Sequence, residues 1–116
     1  MTIQRIEPGP RLSEAVIHGG KVYTAGIVAD KAAGQSVAEQ TKDILGQIDA
    51  ILKQAGSDKS RLLKANIWLS DIGTIGEMNS VWDQWVIPGQ TPVRATVESK
   101  LAQPHWAVEI MIEAAV

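Results

Sequence analysis

The order of the elements that the sequence predicts indicates an α+β fold, a mixed sheet with two helices on one face. Two stretches have the apolar period of a helix, and the other apolar stretches alternate with the two-residue period of strands. The predicted order is strand, hairpin, helix, strand, helix and two final strands. A length of 116 residues is typical of one domain, so residues 1–116 are predicted to form a single domain.

The first 28 residues carry strand and hairpin signals. Ile3 to Ile6 is a candidate short edge strand, which Pro8-Gly9-Pro10 interrupts. Apolar stretches at Glu14 to His18 and Lys21 to Val28 flank Gly19-Gly20. A two-residue hairpin loop needs positive φ, which glycine adopts readily, so a β-hairpin is predicted here.

Two capping boxes mark the helix starts. Ser36-Val37-Ala38-Glu39 opens the first helix, which Gly56 ends. Thr74-Ile75-Gly76-Glu77 opens the second helix, which Pro88-Gly89 ends. The apolar stripe of the second helix, interpreted as core, consists of Ile75, Met78, Trp82 and Trp85, with Asn79 beside it.

The strand predicted between the helices is apolar on one face and mixed on the other. One face carries Leu63, Ala65, Ile67 and Leu69, and the other carries Leu62, Lys64, Asn66 and Trp68. Two helices can cover only one face of a small sheet. A partner subunit is therefore predicted to cover the second face.

The last two strands place a guanidinium and a carboxylate among apolar residues. Arg94, Thr96 and Glu98 alternate with Val93, Ala95 and Val97, in what reads as a buried strand. Ala107, Glu109 and Met111 alternate with Val108, Ile110 and Ile112, in a strand that could pair with the first. Charged groups in such strands usually have a partner or a function.

Each of these charged residues has two interpretations. Arg94 is either a structural charge, paired with Glu98 or Glu109 or at the rim of a subunit contact, or a bidentate clamp for a substrate carboxylate. Glu109 is either a paired carboxylate or a general base, or water-positioning group, with a pKa tuned by burial.

Composition argues against several other functions. A net charge of −2 and the lack of a basic run disfavour a nucleic-acid binder. Without cysteine there are no thiol sites, and two isolated histidines, His18 and His105, predict solvated loop residues rather than a metal site. No phosphate-binding loop or G-x-S-x-G motif occurs. The N-terminus lacks a signal-peptide pattern and no apolar stretch is long enough to span a membrane, so a cytoplasmic protein is expected.

A series of short motifs runs along nearly the whole chain. They are Gly9-Pro10 ahead of Ser13-Glu14-Ala15-Val16, Gly20-Lys21-Val22-Tyr23-Thr24-Ala25-Gly26, Glu39-Gln40-Thr41, Ile48-Asp49-Ala50-Ile51-Leu52, Ala55-Gly56-Ser57, Trp68-Leu69-Ser70-Asp71, Met78-Asn79-Ser80-Val81-Trp82, Pro92-Val93-Arg94-Ala95-Thr96-Val97-Glu98 and Val108-Glu109-Ile110. In order and spacing they resemble the RidA/YjgF/YER057c family, long labelled "endoribonuclease L-PSP". The Val-Arg strand and the Trp-rich second helix look closest to its YoaB-like branch.

The resemblance implies a fold, an assembly and an activity. The fold is chorismate-mutase-like and forms a homotrimer, with the sheets in a central barrel, the helices outside and clefts between subunits. The activity is hydrolysis of reactive 2-imino or 2-enamino acids, such as 2-aminoacrylate, to 2-keto acids and ammonia, without a metal or organic cofactor. The implied ligand is thus a small carboxylate.

The resemblance also assigns roles to residues of the cleft. It implies that Arg94 holds the substrate carboxylate, that Glu109 positions the attacking water, and that a backbone carbonyl near Thr96 assists. Asn79 and Gly26 match cleft positions of the family.

Three positions depart from the family pattern. Arg11-Leu12 stands where many members have tyrosine, Ala25 replaces a frequent serine, and Thr96 replaces a frequent cysteine. Leu12 and Ala25 are therefore expected in the substrate-binding cleft without the hydroxyls that bear on substrate range and rate.

Three functions remain in competition at the level of sequence. The first is a cofactor-independent imine hydrolase, since an imine is already electrophilic and needs mainly orientation and a placed water. The second is a non-catalytic binder of 2-keto or short carboxylic acids that acts as a sensor or interaction module. The third is a ribonuclease, which the sequence supports least because it has no histidine pair and no basic groove.

Overall fold

The computed structural model describes residues 2–116, which form a mixed α+β fold. Its helices are α1 (Val37–Gln54) and α2 (Ile75–Trp85), and its strands are β1 (Gln4–Pro8), β2 (Ser13–His18), β3 (Lys21–Thr24), β4 (Ile27–Val28), β5 (Leu62–Leu69), β6 (Val93–Glu98) and β7 (Val108–Ala115). Short 3₁₀ turns at Lys59–Arg61 and Ile72–Thr74 precede β5 and α2. None of the helices in this part of the chain is long and apolar enough to cross a membrane.

The strands form one mixed sheet in the order β1-β2-β3-β7-β5-β6, with β4 also paired to β7. Only the β5–β6 pair is parallel, because α2 carries the chain back to the start of β6. The predicted closing hairpin is therefore wrong: β5 lies between β6 and β7, which do not pair. Arg94 consequently lies on an edge strand whose residues are mostly exposed, and not in a buried strand.

The predicted N-terminal hairpin is confirmed by the β2–β3 pairing, with Gly19 and Gly20 at φ 61° and 79°. The predicted edge strand extends to Pro8. The segment predicted as one strand to Val28 is instead broken by a bulge. Tyr23 pairs with Glu113 and Ile27 pairs with Ile110, so three residues, 24–26, face two on β7.

The first predicted capping box caps a helix and the second does not. Ser36 accepts a hydrogen bond from the Glu39 N–H at 3.1 Å at the start of α1. Thr74 instead donates its hydroxyl to the Asp71 carbonyl at 2.6 Å. The Glu77 carboxylate accepts a bond from the Ala38 N–H at 2.8 Å, so it stabilises the start of α1 and not that of its own helix.

The core lies between the helices and one face of the sheet. Its largest fully buried apolar side chains are Ile44, Ile48, Leu52, Ile67, Leu69, Met78, Ile110, Ile112, Val22 and Val108. Leu62 belongs to this face and Leu63 is 41% exposed, the reverse of the prediction, because a register shift separates Leu62 from Lys64.

The opposite side of the sheet, here the open sheet face, is not covered by a helix. It carries Tyr23, Lys64, Asn66, Trp68, Val93, Val97, Glu109, Met111 and Glu113, as the strand registers show. Val93 is 70% exposed and Val97 49%. The prediction that the second face of β5 is only partly apolar and lacks helix cover is thus confirmed within residues 2–116.

Candidate functional site

Arg94 is held by two residues of α2. Its Nη1 donates to the Asn79 Oδ1 at 2.8 Å, and its guanidinium carbon lies 5.4 Å from the centre of the Trp82 ring. Asn79 and Trp82 are three positions apart and therefore share one helix face. Within residues 2–116 the side-chain ion pairs are Lys42–Glu39 and Lys64–Glu113, so Arg94 forms no ion pair with Glu98 or Glu109 of its own chain.

Thr96 follows on the same face of β6. In register, Arg94 lies beside Ala65 and Thr96 beside Ile67, both of which face the core. The Thr96 hydroxyl oxygen is buried and has no hydrogen-bond partner within residues 2–116. A buried hydroxyl of this kind costs free energy unless a polar group reaches it, which makes it a candidate ligand contact.

Glu109 lies on β7 between Val28 of β4 and Trp68 of β5. Burial raises the pKa of its carboxyl above the ordinary value. Gly26 lies against this carboxyl group, since a β-carbon at that position would stand 2.9 Å from the Glu109 Cδ. Glycine suits this position because the Glu109 carboxyl group approaches it closely, and not because of its φ.

A cavity of about 560 Å³ opens beside Gly26. It is lined by Glu7, Gly9, Pro10, Arg11, Leu12, Glu14, Ala25, Gly26, Ile27, Val28 and Gln47. Leu12, Ala25 and Gly26 therefore line the same cavity. Glu7, which no sequence pattern indicated, has φ 48°, and no other non-glycine residue from 2 to 116 has positive φ.

The candidate site residues form two groups that are far apart within one chain. The Arg94 group includes Asn79 and Thr96, and the Glu109 group includes Gly26, Ala25 and Leu12. Arg94 is level with Ala65 of β5, whereas Glu109 is level with Trp68 on the opposite face of the sheet. Across the sheet they are two strand spacings of about 4.8 Å apart, and along the strands they are three residues of about 3.3 Å apart. These two distances are perpendicular, so the α-carbons of Arg94 and Glu109 lie about 14 Å apart. The predicted proximity of Glu109 to the Arg94 strand is therefore wrong for a single chain.

A buried amide supports the strand that carries Glu109. Gln40 is 1% exposed; its Nε2 donates to the carbonyls of Gln35 and His105, at 2.9 and 3.2 Å, and its Oε1 accepts from the Ala107 N–H at 2.9 Å. It thus joins α1 to the segment just before β7.

A carboxylate of α1 organises the loop after β4. Asp43 accepts bonds from the N–H groups of Asp30 and Ala32 and from Gln47, whose amide also reaches the Val28 carbonyl. Burial raises the pKa of Asp43, but these hydrogen bonds outweigh burial and hold the pKa below its usual value. The loop that follows β4, next to Glu109, is therefore fixed to α1.

The histidines take no part in either group. His18 and His105 are exposed, and the ring of His105 lies edge-on to Trp106. No group of three or more His, Asp or Glu side chains in residues 2–116 is placed to hold a metal ion. The chemistry available at these two groups is anion binding, proton transfer and hydrogen bonding.

The mixed α+β fold, with two helices on one face of the sheet, is that of YjgF family structures. Residues 2–116 match the family model described as Endoribonuclease L-PSP, and the chain belongs to this family. It is 51% identical to a RutC family protein of Haemophilus influenzae over 112 residues, 97% of each chain. It is 45% identical over 116 residues to the RutC family protein YoaB of Escherichia coli, with full coverage of both.

A solved structure and a more distant relative complete these comparisons. A YjgF family protein of Neisseria meningitidis has a TM-score of 0.95 and 48% identity, covering 99% of this chain and 95% of its own. A bovine protein named 2-iminobutanoate/2-iminopropanoate deaminase is 34% identical over 103 residues, 84% of this chain and 74% of its own.

Proposed function

We propose that this protein hydrolyses 2-imino and 2-enamino acids, such as 2-aminoacrylate, to 2-keto acids and ammonia. The observation that carries the proposal is the state of Arg94: a neutral amide holds the guanidinium, and no carboxylate of residues 2–116 neutralises it. Its charge is thus available to an anionic substrate. The name of the bovine relative supports the same class of reaction.

The guanidinium is suited to the carboxylate of a 2-imino acid. It has five N–H donors, and Asn79 accepts from Nη1 alone. The edge formed by Nε and Nη2 remains free to bind both oxygens of a carboxylate. Each charge-assisted hydrogen bond contributes about 1.5–3 kcal/mol, enough to orient a small substrate.

Glu109 is suited to activate water. As the water oxygen bonds to the imine carbon, the C=N π electrons move to nitrogen, and the carboxylate takes a proton from the water and passes it to that nitrogen. The C–N bond of the resulting carbinolamine then breaks as the carbonyl forms, and the carboxylate transfers the hydroxyl proton to the leaving nitrogen, so that imine and water give 2-keto acid and ammonia. A pKa raised by burial makes the carboxylate a stronger base near neutral pH.

The distance between Arg94 and Glu109 bears on the assembly. One small substrate cannot contact both residues of a single chain when about 14 Å and the sheet separate them. We therefore propose a homotrimer, with sheets in a central barrel, in which Arg94, Asn79 and Thr96 of one subunit face Glu109, Gly26, Ala25 and Leu12 of its neighbour. The exposed apolar residues of the open sheet face, Val93 and Val97 among them, would be buried by this assembly.

One observation favours a second function, the non-catalytic binding of 2-keto or short carboxylic acids. Leu12 and Ala25 line the cavity beside Gly26 and offer no hydroxyl to the reacting atoms. In that case Arg94 would still bind the carboxylate, but no water would be positioned for Glu109 to activate.

Ammonia release tests the proposal and separates these functions. An amino-acid oxidase generates the imine in situ, and the ammonia released is compared with the spontaneous rate. We expect acceleration by the wild type and none by Arg94→Ala. Saturable binding of pyruvate without acceleration would establish the binder instead. RNA cleavage that follows the protein through gel filtration would establish the ribonuclease.

A further inference from the structure

We infer that Trp82 is a positioning residue, which fixes the plane of the Arg94 guanidinium for binding the substrate carboxylate. This inference rests on the proposed function. The Trp82 side chain is 5% exposed, and the Arg94 guanidinium carbon lies 5.4 Å from the centre of its ring. That distance is within the range of a cation–π interaction, for which tryptophan is the best ring.

A single hydrogen bond does not fix a guanidinium. The bond from Nη1 to Asn79 restrains one end of the group and leaves it free to rotate about that contact. The Trp82 ring restricts this rotation, because the cation–π attraction favours positions in which the guanidinium stays over the ring. Asn79 and Trp82 together thus restrain the group at two places, and Asn79 occupies Nη1 alone.

Trp82 is itself fixed through Trp85 to the other helix. The two rings lie 5.4 Å apart at 50°, and Trp85 Nε1 donates to both carboxylate oxygens of Asp49, at 3.1 and 3.2 Å. Lys59 lies 5.9 Å from the Trp85 ring on that side. The ring beside Arg94 thus packs against a second ring that is itself hydrogen-bonded to α1.

The expected size of the effect follows from the environment of the pair. A cation–π contact changes an equilibrium about 2- to 5-fold when exposed and up to about 30-fold when desolvated. Trp82 is buried but Arg94 is exposed in the single chain, so an intermediate effect of about 5-fold on carboxylate binding is expected.

Three variants separate positioning from packing. Trp82→Leu removes the ring, Trp82→Phe keeps a weaker ring, and Trp85→Leu is the matched control, since Trp85 is also buried and on α2 but supports Lys59 rather than Arg94. Melting temperature and light scattering establish that each variant is folded and assembled. If Trp82→Leu does not fold, Trp82→Phe and Trp85→Phe provide the same comparison.

The first measurement needs no ligand. ¹⁵N relaxation of the Arg94 Nε–H reports how tightly the guanidinium is held. We expect Trp82→Leu to increase its motion and to remove the ring-current shift of its proton, and Trp82→Phe to restore most of the order. Trp85→Leu should increase the motion much less, because it leaves the Trp82 ring beside Arg94. An equally ordered Arg94 in folded Trp82→Leu overturns the inference.

The second measurement is pyruvate binding by calorimetry. Trp82→Leu should weaken binding about 5-fold in the wild-type background and have no effect in an Arg94→Ala background. Equal weakening in both backgrounds, or by Trp85→Leu, would assign Trp82 a packing role and overturn the inference. A wild type that binds no pyruvate would refute the proposed function, whereas the relaxation experiment would still decide the role of Trp82.

Discussion

Gly26 and Glu109 occupy adjoining space on β4 and β7, so that a β-carbon on Gly26 would stand 2.9 Å from the Glu109 Cδ and closer still to its Oε2. The group that would have to move is the end of a flexible side chain and not the backbone. The glycine thus sets the position of a carboxylate at little cost to the fold, and the two residues can be tested as a unit.

Gly26→Ala is expected to slow turnover while the protein remains folded. The added methyl group displaces the Glu109 carboxylate, and a small misplacement of a reacting group can cost about 100-fold in rate. Pyruvate affinity should change little because the added methyl group displaces Glu109 and not Arg94, which binds the carboxylate. Gly46→Ala, in α1 with nothing within 4 Å of the added atom, is the control and should stabilise the fold by about 0.5–1 kcal/mol. Wild-type turnover by Gly26→Ala would show that the position of the carboxylate does not matter.

Glu109→Gln is expected to retain fold and pyruvate binding and to lose turnover. Glutamine keeps the shape but neither the charge nor the basicity, and general base catalysis typically contributes about 10²–10⁴-fold. The oxidase-coupled ammonia assay measures the loss. Unchanged turnover in a folded, assembled variant would leave Glu109 with a structural role only.

The same substitution should change the dependence of stability on pH. Because burial raises the pKa of Glu109 above 4.5, the folded chain keeps a proton that the unfolded chain has released. The free energy of unfolding therefore falls as pH rises from that ordinary value through the raised folded pKa. Glu109→Gln has no titrating carboxyl at this position and does not lose stability in this way. The melting temperature of the variant minus that of the wild type should therefore increase from pH 4 to pH 8.

Glu113→Gln is the control for this pH dependence. Glu113 is on the same strand and pairs with Lys64 at 3.9 Å, so its substitution removes an ion pair and should bring no gain at high pH. Parallel melting curves for wild type and Glu109→Gln across the range would contradict the effect of burial.

Arg94→Lys is expected to weaken pyruvate binding about 10-fold or more, because lysine offers a point charge rather than a fork. Arg94→Ala should weaken it further with little change in melting temperature, since Arg94 is exposed and its one hydrogen-bond partner within residues 2–116 is Asn79. Arg5→Ala, on the opposite edge strand, is the control. Calorimetry measures the pyruvate affinity and light scattering the assembly of each variant. If assembled Arg94→Ala binds pyruvate as tightly as the wild type, Arg94 does not anchor the carboxylate.

The protein is expected to be a trimer at micromolar concentration by light scattering, with a melting temperature that rises with protein concentration. Val97→Glu places a charge on the open sheet face and should dissociate the trimer and abolish ammonia release. Ala50→Glu, on the exposed side of α1, should do neither. A monomeric wild type would disprove the assembly and with it the shared cleft.

The elements that the sequence predicted well are those with a strong local signal. The apolar period and the Ser36 cap placed α1, and alternation placed β5 at its observed bounds. Alternation also placed Arg94 and Thr96 on one face of β6. It does not say which strands pair, so the crossover by α2, which separates β6 from β7, was missed.

The remaining errors arose where a side chain serves another element. Thr74 and Glu77 have the sequence spacing of a capping box, yet the Glu77 carboxylate accepts a hydrogen bond from the first turn of α1. This is a tertiary contact, which a local sequence pattern cannot predict. Trp82 has the spacing of a core residue and is buried, but its ring also lies beside Arg94. Only the three-dimensional placement of β6 next to α2 shows this second contact.

The bulge at residues 24–26 determines which face of the sheet each side chain of β4 occupies. The Thr24 hydroxyl donates to the Ala25 carbonyl at 2.8 Å and accepts from the Ile112 N–H at 3.0 Å, which stabilises the extra residue. If the same residues paired with β7 as a regular ladder, Ile27 would face Glu109 instead of Ile110, and every side chain of β4 would change faces. The bulge therefore keeps Ile27 in the core and leaves the space beside Gly26 to the Glu109 carboxylate.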